Sequence, residues 1–453
     1  MTDIAIVLGL LFFLICVFFV VVHSSIVKKI TLLDWSVLGM GGVYGIGWCV
    51  VAGVTEIGGN PSWENWILPY KDLYPVHTIL ALVLLGSMWI GWLVFGSLTR
   101  SRIQVISFTP SQNDNLRLLE AMWFLLIVAF IMQWLYTLAY GGFLGLLDYS
   151  RSIRSAIFPI ENRLSFLKPF GGLALFASYG FWGLWLARYR RMATLFGLVL
   201  SIIFSIYILY SWMGRIGFLT YLMTFVLGML LIRKPRPLSL LFSGSMVMFA
   251  ILIGAYFVSI WFNLKPSENF ALFLARELSF PFGSFFGQLD YGENLTRWFK
   301  DLFVAPIYLL PSSLWSNWIE NVGQVNTALI MGAPKGEQGV TGAIPVDLLT
   351  LGLMQASVYG IVVVGFIFGA FLRLVQHLIN KFTNPGMHAV FEAYIAVKIA
   401  VLGVFYAQPA LVVSGNFAFL FALIVIIFFV KMPRFKWING HGNSSTIATI
   451  KQK

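Results

Sequence analysis

IAIVLGLLFFLICVFFVVV, residues 4–22, carries no charged side chain and is long enough to cross a bilayer as one α-helix. It is too long for the apolar region of a secretory signal peptide, and no basic residue precedes it, so it predicts a membrane span. Similar apolar stretches recur along the chain and predict about eleven spans in all. They lie at 4–22, 32–54, 76–98, 119–140, 171–187, 193–211, 215–232, 238–261, 349–372, 389–406 and 411–430. The expected fold class is an all-α polytopic membrane protein.

The composition of the 453-residue chain excludes an ordinary soluble protein. Hydrophobic residues make up 59%, aromatic residues 17% and charged residues 11%, with a mean hydropathy of +0.85, whereas soluble domains carry about 25% charged residues. The net charge of +12 does not indicate nucleic-acid binding, because the basic residues are spread between the apolar stretches. The two cysteines, Cys16 and Cys49, lie in apolar stretches and predict neither a disulfide framework nor a metal site.

Lysine and arginine collect in every second loop between the predicted spans, and short loops of this kind face the cytoplasm. The alternation predicts a multi-pass membrane protein with its N-terminus outside and its C-terminus in the cytoplasm. The basic loops contain Lys28 and Lys29; Arg100, Arg102 and Arg117; Arg188, Arg190 and Arg191; Arg233, Lys234 and Arg236; Arg373 and Lys381; and Lys431, Arg434 and Lys436.

Two predicted outer loops are much longer than the others. Within a single transmembrane domain, 1–453, they cover 141–170 and 262–350, and residues 431–453 form a cytoplasmic tail. The second loop predicts two amphipathic helices, at 268–278 after an N-cap at Ser267 and at 294–303. Such helices are typical of the membrane interface.

The sequence contains no phosphate-binding glycine loop, dinucleotide fingerprint, HExxH motif or acid cluster with metal-ligand spacing. ATP-driven pumping is therefore unsupported. Few ionisable residues lie deep in a predicted span, although Glu392 and Lys398 share one and leave a buried relay open as an interpretation. A secondary transporter, such as a flippase for lipid-linked oligosaccharides, accordingly stays an alternative. No internal repeat of the kind common in transporters is evident.

Several arginines fall in the loops predicted to lie outside, against the usual distribution of charge. Arginine suits a diphosphate because its planar guanidinium donates paired hydrogen bonds and keeps its charge. A substrate that combines a diphosphate at the outer leaflet with an apolar tail is a polyprenyl-diphosphate-linked sugar. Fixed positive side chains would stabilise the departing diphosphate, so we expect a metal-independent transfer without cofactors. The arginines are Arg151, Arg154, Arg163, Arg215 and Arg276.

Short motifs in the second half of the chain resemble Wzy-type oligosaccharide repeat-unit polymerases, which build O-antigen and related surface polysaccharides. Residues 211–217, SWMGRIG, are similar to the glycine–arginine element of that family. Residues 309–315, LLPSSLW, followed by GAIP at 342–345 and Gly352, resemble the end of its large outer loop. The plan of many spans with two dominant outer loops is similar as well.

The resemblance implies a C-type glycosyltransferase fold in a bacterial inner membrane, and it implies a reaction. The growing glycan would leave undecaprenyl diphosphate and join an incoming lipid-linked repeat unit, with a chain-length regulator as a further partner. An O-antigen ligase, which transfers the finished glycan to the lipid A core, stays open as an alternative. The pattern typical of such ligases includes a histidine in the large outer loop, and residues 262–350 contain no histidine.

Candidate site residues follow from the predicted topology and the resemblance together. Each has a simpler reading as well, since arginines at span ends also reach lipid headgroups and loop acids are often only solvated. The predicted catalytic residues are Arg215, Arg276, Glu277 and Asp290. The two arginines would hold the donor diphosphate, and one of the two carboxylates would orient the acceptor hydroxyl. Four further residues are predicted to bind substrate: Arg151, Arg154, Arg163 and Lys335.

Overall fold

In a computed structural model, the described residues are 2–57, 72–100, 112–154, 160–233, 236–261, 269–291, 296–310, 314–316, 318–340, 342–382 and 384–431. Their regular structure is entirely helical. The α-helices are α1 Thr2–Val27, α2 Leu32–Met40, α3 Gly47–Glu56, α4 Tyr74–Arg100, α5 Gln112–Thr137, α6 Gly142–Arg154, α7 Leu173–Leu186, α8 Met192–Ser211, α9 Arg215–Ile232, α10 Pro237–Trp261, α11 Phe270–Tyr291, α12 Lys300–Phe303, α13 Val322–Met331, α14 Leu348–Ile379, α15 Pro385–Ile395, α16 Leu402–Phe405, α17 Pro409–Gly415 and α18 Phe417–Lys431.

Two π-helical segments join α-helices into longer helices. Gly41–Ile46 joins α2 to α3, and Ala396–Val401 joins α15 to α16. The joined helices are Leu32–Glu56 and Pro385–Phe405. Three 3-10 helices, Leu138–Tyr140, Ser165–Gly172 and Ala305–Leu309, complete the regular structure of the described chain.

Seven helices of the described chain are long and apolar enough to cross a membrane, and the bent pair of α17 and α18, at 41°, makes eight if it crosses as one span. The protein is therefore a polytopic α-helical membrane protein. The remaining predicted spans coincide with α7, α9 and α10, which do not meet this test over their described residues, so the count of eleven stays a prediction. The seven are Ile4–Val27, Leu32–Glu56, Tyr74–Ser97, Asp114–Tyr140, Met192–Ser211, Leu348–Ile379 and Pro385–Phe405.

The helix Pro385–Phe405 lies at the centre of the bundle, and no residue of 386–405 is exposed. Glycines allow its neighbours to approach closely, as is common between membrane helices. A Cβ atom on Gly228 of α9 would lie 3.2 Å from the Cα atom of Val390, and one on Gly39 of α2 would lie 3.1 Å from that of Val401. Both α2 and α9 therefore pack directly against the central helix.

Helices α4 and α14 pack together by the same means. A Cβ atom on Gly91 would lie 2.0 Å from the carbonyl oxygen of Phe366, and one on Gly369 would lie 1.9 Å from that of Met88. Only glycine permits this separation, because both obstacles are backbone atoms.

Helix α14 reverses direction near its start, which the predicted span at 349–372 did not include. Ala356 and Ser357 have non-helical backbone angles, and φ of Ser357 is +53°. A Cβ atom on Gly352 would lie 2.6 Å from the Cα atom of Ile361, whereas a straight helix would separate these residues by about 13 Å. Residues 348–355 therefore form a half-helix that folds back onto the following turns.

The half-helix is held at both ends by distant parts of the chain. Asp347 is its N-cap and accepts a 2.6 Å hydrogen bond from the Tyr44 hydroxyl. At the other end, the N–H groups of Arg297 and Trp298 donate to the carbonyls of Met354 and Gln355, both at 2.8 Å. The carbonyls that the reversal leaves without helical partners are thus satisfied by the long loop.

A cluster of Arg297, Asp301 and Gln355 strengthens this connection. The guanidinium of Arg297 makes two hydrogen bonds to Asp301, at 2.5 and 2.9 Å, and Gln355 donates to the same carboxylate at 2.9 Å. Arg297 also donates to the Glu320 carbonyl at 2.7 Å. Asp301 is only 1% exposed, so this ion pair is buried.

These contacts explain why the predicted helix at 294–303 is wrong over 296–299. Trp298 and Phe299 have φ of 48° and 62°, because the backbone turns to reach the half-helix, and only Lys300–Phe303 is helical. The other predicted loop helix is present but longer, as α11 runs from Phe270 to Tyr291. Ser267 lies outside the described residues. The residues of the predicted tail after Lys431 are outside them too.

Far from these loops, polar side chains connect four helices. The Nδ1 atom of His23 lies 2.7 Å from Asp34, which also caps the start of α2. Gln376 accepts a hydrogen bond from the Leu32 N–H at 2.9 Å and donates to Glu392 at 3.3 Å. His388 lies 3.5 Å from the same carboxylate of Glu392. Asp34 and Glu392 thereby each have polar partners.

Candidate functional site

The hairpin between α8 and α9 presents the first turn of α9 beside the two long loops. Met213 has a left-handed conformation with φ of 51°, which reverses the chain after α8. Gly214 is the N-cap of α9, and no side chain caps this helix. Among the described residues, a Cβ atom on Gly214 would meet nothing within 4 Å, so the described chain leaves the space beside this N-cap open. Unpaired N–H groups at such a position attract anions.

The first long loop reaches this hairpin through α6. Arg154 is in the last turn of α6, and its Nη1 atom donates a 2.6 Å hydrogen bond to the Met213 carbonyl. The side chain is otherwise exposed. Arg154 therefore lies two residues from the open first turn of α9.

The second long loop meets the first at the same place. Lys335 lies in a turn closed by a 3.2 Å hydrogen bond from the Glu337 N–H to the Pro334 carbonyl, and its Nζ atom donates to the Arg154 carbonyl at 2.6 Å. Lys168, in the 3-10 helix Ser165–Gly172, is close enough to interact electrostatically with Lys335. We call Arg154, Lys168 and Lys335 the basic cluster, and the end of the bundle that carries it the loop end.

Each lysine of the cluster lies near another positive charge. Burial, and then the charge of Arg154, lowers the pKa of Lys335. Burial, and then the charge of Lys335, lowers the pKa of Lys168. Within the described chain, no carboxylate lies at ion-pair distance from either lysine. An anion bound between these side chains would relieve the repulsion, so the cluster suits a phosphate or diphosphate.

The other predicted substrate-binding arginines lie further from the cluster. Arg151 is exposed one turn before Arg154 on α6, on the same side of the helix. Arg163 is exposed beside Asn162, whose side chain donates to the Tyr136 carbonyl at 2.9 Å. The structure brings Arg154 and Lys335 together and shows no such contact for Arg151 or Arg163 among the residues it describes.

The predicted catalytic residues are divided between two helices. Arg215 is the first residue of α9, and its side chain lies outside the described part of the chain. Arg276 and Glu277 are half-buried on α11, which joins α9 through a cluster of Phe273 and Leu219. Leu219 lies one turn after Arg215, and Phe273 lies one turn before Arg276. The two arginines therefore belong to the part of the protein where α9 and α11 meet.

Asp290 is separated from these residues. It is exposed near the end of α11, and about 21 Å of helix lies between it and Arg276. A carboxylate at that distance does not reach a bond held by Arg276, so Glu277 is the better placed of the two predicted acids.

Lys168 is not among the site residues predicted from the sequence. The available signal was its position in the predicted loop 141–170 with Arg151, Arg154 and Arg163. For metal ions, the described residues contain no group of three or more His, Cys, Asp or Glu side chains arranged as ligands.

Comparison with known proteins adds no relative. No protein-family model matches the chain, and neither the curated proteins nor the solved structures give a match. The function therefore has to be argued from the basic cluster, the helices that carry it and the motifs of the sequence.

Proposed function

We infer that this protein is a membrane glycosyltransferase that polymerises lipid-linked repeat units of a surface polysaccharide. The single observation that carries this proposal is the basic cluster. Arg154 and Lys168 of the first long loop and Lys335 of the second lie together beside the start of α9. Gathering like charges around one position is costly unless an anionic ligand binds there.

The proposed ligand is the diphosphate of undecaprenyl-diphosphate-linked oligosaccharide. In the proposed orientation, the loop end faces outward and the short basic loops face the cytoplasm of a bacterial inner membrane. The basic cluster would then meet a lipid diphosphate in the outer leaflet. Membrane lipids and a chain-length regulator are the other proposed partners.

The proposed reaction is one displacement at the anomeric carbon of the donor. The bond from that carbon to the phosphate oxygen breaks, and the diphosphate leaves with the electron pair. The acceptor hydroxyl oxygen forms the new bond, and its proton passes to a carboxylate, for which Glu277 is the candidate. The basic cluster, with Arg215 and Arg276, stabilises the negative charge on the leaving diphosphate. A single displacement inverts the configuration of the sugar.

The test is polymerisation of purified lipid-linked repeat units by the full-length protein. Wild-type protein should give a ladder of longer glycans on a gel. Lys335→Met, which removes one charged hydrogen-bonding group, should slow ladder formation about tenfold or more. Lys300→Met is the matched control, because Lys300 is an exposed lysine of the same long loop outside the cluster. An unchanged ladder from Lys335→Met and from Arg154→Ala would refute the proposal.

One observation favours a second candidate, a transporter or flippase for lipid-linked oligosaccharides. The half-helix 348–355 starts at the buried Asp347, next to Tyr44 of a spanning helix, and half-helices inside the bundle are typical of secondary transporters. Protein reconstituted in liposomes distinguishes the two functions. Movement of a labelled lipid-linked oligosaccharide between leaflets without a longer glycan would favour the transporter.

A further inference from the structure

The central helix contains a lysine without a described partner. Lys398 lies in the π-helical segment Ala396–Val401. Among the residues that the structure describes, none forms an ion pair or hydrogen bond with its ammonium group. The acid on the same helix, Glu392, is engaged by Gln376 and His388. A charged group in a membrane helix normally has a partner, and π-helical segments occur frequently at functional sites.

Lys398 is also at the start of an accessible stripe on an otherwise buried helix. Lys398, Val401, Leu402 and Phe405 are the partly exposed residues of 393–405, and all others are buried. Their spacing of three or four residues places them on one side of the helix. We call this face the Lys398 groove. It covers about 10 Å of helix between Lys398 and Phe405.

Three other helices surround this part of the central helix. Helix α2 contacts it at Val401, and α9 packs along it from Val390. Helix α10 spans the distance between these two, since Gly244 packs against Trp35 of α2 and Gly254 against Leu219 of α9. We place the Lys398 groove among these three helices.

Helix α11 covers the loop end of this space. Phe273 packs with Leu219 of α9, and Phe280 lies 4.5 Å, centroid to centroid, from Phe405. Arg276 is between Phe273 and Phe280 in sequence, and the spacing of these residues places all three on the same side of α11. Arg276 is thus at the end of the groove where Phe405 lies, and Lys398 is at the other end.

We propose that Lys398 binds a phosphate group of a polyprenyl diphosphate that enters the Lys398 groove, which rests on the proposed function for the identity of the lipid. The groove supplies apolar walls for the first isoprene units, and Lys398 supplies the charge inside the bundle. Arg276 binds the same diphosphate from the loop end of the groove. Lys398 is then a substrate-binding residue, and its positive charge is neutralised when the lipid is bound.

Binding of farnesyl diphosphate to the full-length protein in detergent tests this inference. Calorimetry should show that Lys398→Met weakens the affinity about tenfold or more, because one charged hydrogen bond to phosphate is lost. Lys381→Met, at an exposed lysine in the loop after α14, should bind like the wild type. Lys398→Arg, which keeps the charge, should retain most of the affinity. Farnesol, which lacks the diphosphate, should bind Lys398→Met and wild type equally.

Several results would overturn the inference. These are equal binding of farnesyl diphosphate by Lys398→Met and wild type, no binding by the wild type, and a parallel loss of farnesol binding. Competition by phosphatidylglycerol at similar concentration would show a site for lipid headgroups instead. Lys398→Met leaves no described partner charge uncompensated, and protection of Lys398 from reductive methylation by farnesyl diphosphate provides a second measurement on the wild-type chain.

The failure of this inference is distinguishable from failure of the proposed function. If Lys398→Met still makes a normal glycan ladder while Lys335→Met does not, the polymerase proposal stands and the role of Lys398 is wrong. If neither variant changes the ladder but Lys398→Met loses farnesyl diphosphate, the groove binds the lipid and the basic cluster has another role.

Discussion

Replacing Arg297 by methionine should separate the long loop from the half-helix. Its side chain is 12% exposed and that of its partner Asp301 is 1% exposed. Methionine fills part of the same volume but leaves the Asp301 carboxylate with only the hydrogen bond from Gln355. Breaking one side of a buried ion pair costs about 3–5 kcal/mol, because the remaining charge stays buried without compensation. The loss of the contact to the Glu320 carbonyl adds to that cost.

A double-mutant cycle measures how much of this cost belongs to the pair. Asp301→Asn alone removes the charge that Arg297 neutralises, and the double variant removes both charges. We expect the double variant to lose at least about 1 kcal/mol less than the sum of the single variants, since residues in direct contact are coupled. The free energy of unfolding is measured by titration with dodecyl sulfate in mixed micelles.

Lys300→Met is the control for the cycle, because Lys300 lies between the two positions in sequence and is exposed. It should change the free energy of unfolding by less than about 0.5 kcal/mol. If Arg297→Met and Asp301→Asn each cost less than about 1 kcal/mol and their effects add, the ion pair does not hold the loop in place, and the reasoning is wrong.

Three further predictions concern the basic cluster and the backbone. The pKa values of Lys335 and Lys168 are lowered from the usual lysine value of 10.5. As pH rises, both lysines should therefore lose their charge before pH 10.5 is reached, and ladder formation should decline with that loss. The free energy of unfolding should rise over the same pH interval, because the unfolded lysines still bind protons. Lys335→Arg should keep its activity at higher pH than the wild type. Equal pH profiles of ladder formation for the variant and the wild type would contradict this. Gly91→Ala should destabilise the protein by about 1–3 kcal/mol, because its Cβ atom would lie 2.0 Å from a backbone carbonyl oxygen. Gly86→Ala is the control, since its Cβ atom would meet no described atom within 4 Å, and it should not destabilise the protein in the same detergent titration. Ser357→Gly should stabilise by about 1 kcal/mol in that titration, since φ is +53°, and a loss of stability would disprove the assignment of strain.

The positions of the helices could be predicted from the sequence to a large extent, because long apolar stretches allow little else in a membrane. The reversal at Ala356 and Ser357 could not, since neither residue is a glycine or a proline. The turn exists because Arg297 and Trp298 bind the exposed carbonyls at its end. Contacts of this kind join residues that no local pattern connects.

The candidate site was predictable in its residue types and less so in its geometry. Charge alternation placed Arg154 and Lys335 in the same predicted compartment, but their hydrogen bond joins residues 181 positions apart. Asp290 was predicted because it is an acid in the same long loop as Arg276. The observed helix α11 runs to Tyr291 and places Asp290 about four turns from Arg276.

The half-helix has a consequence for how the chain is made. Ribosomes deliver residues 297–298 about 57 residues before the carbonyls of Met354 and Gln355 that they satisfy. Residues 297–298 are therefore already synthesised when 348–355 leaves the ribosome, and their N–H groups are available to the carbonyls at the reversal. The half-helix is thus bound by a partner synthesised earlier. Vectorial synthesis thus gives the order of assembly, from the loop to the half-helix and then to the remainder of α14.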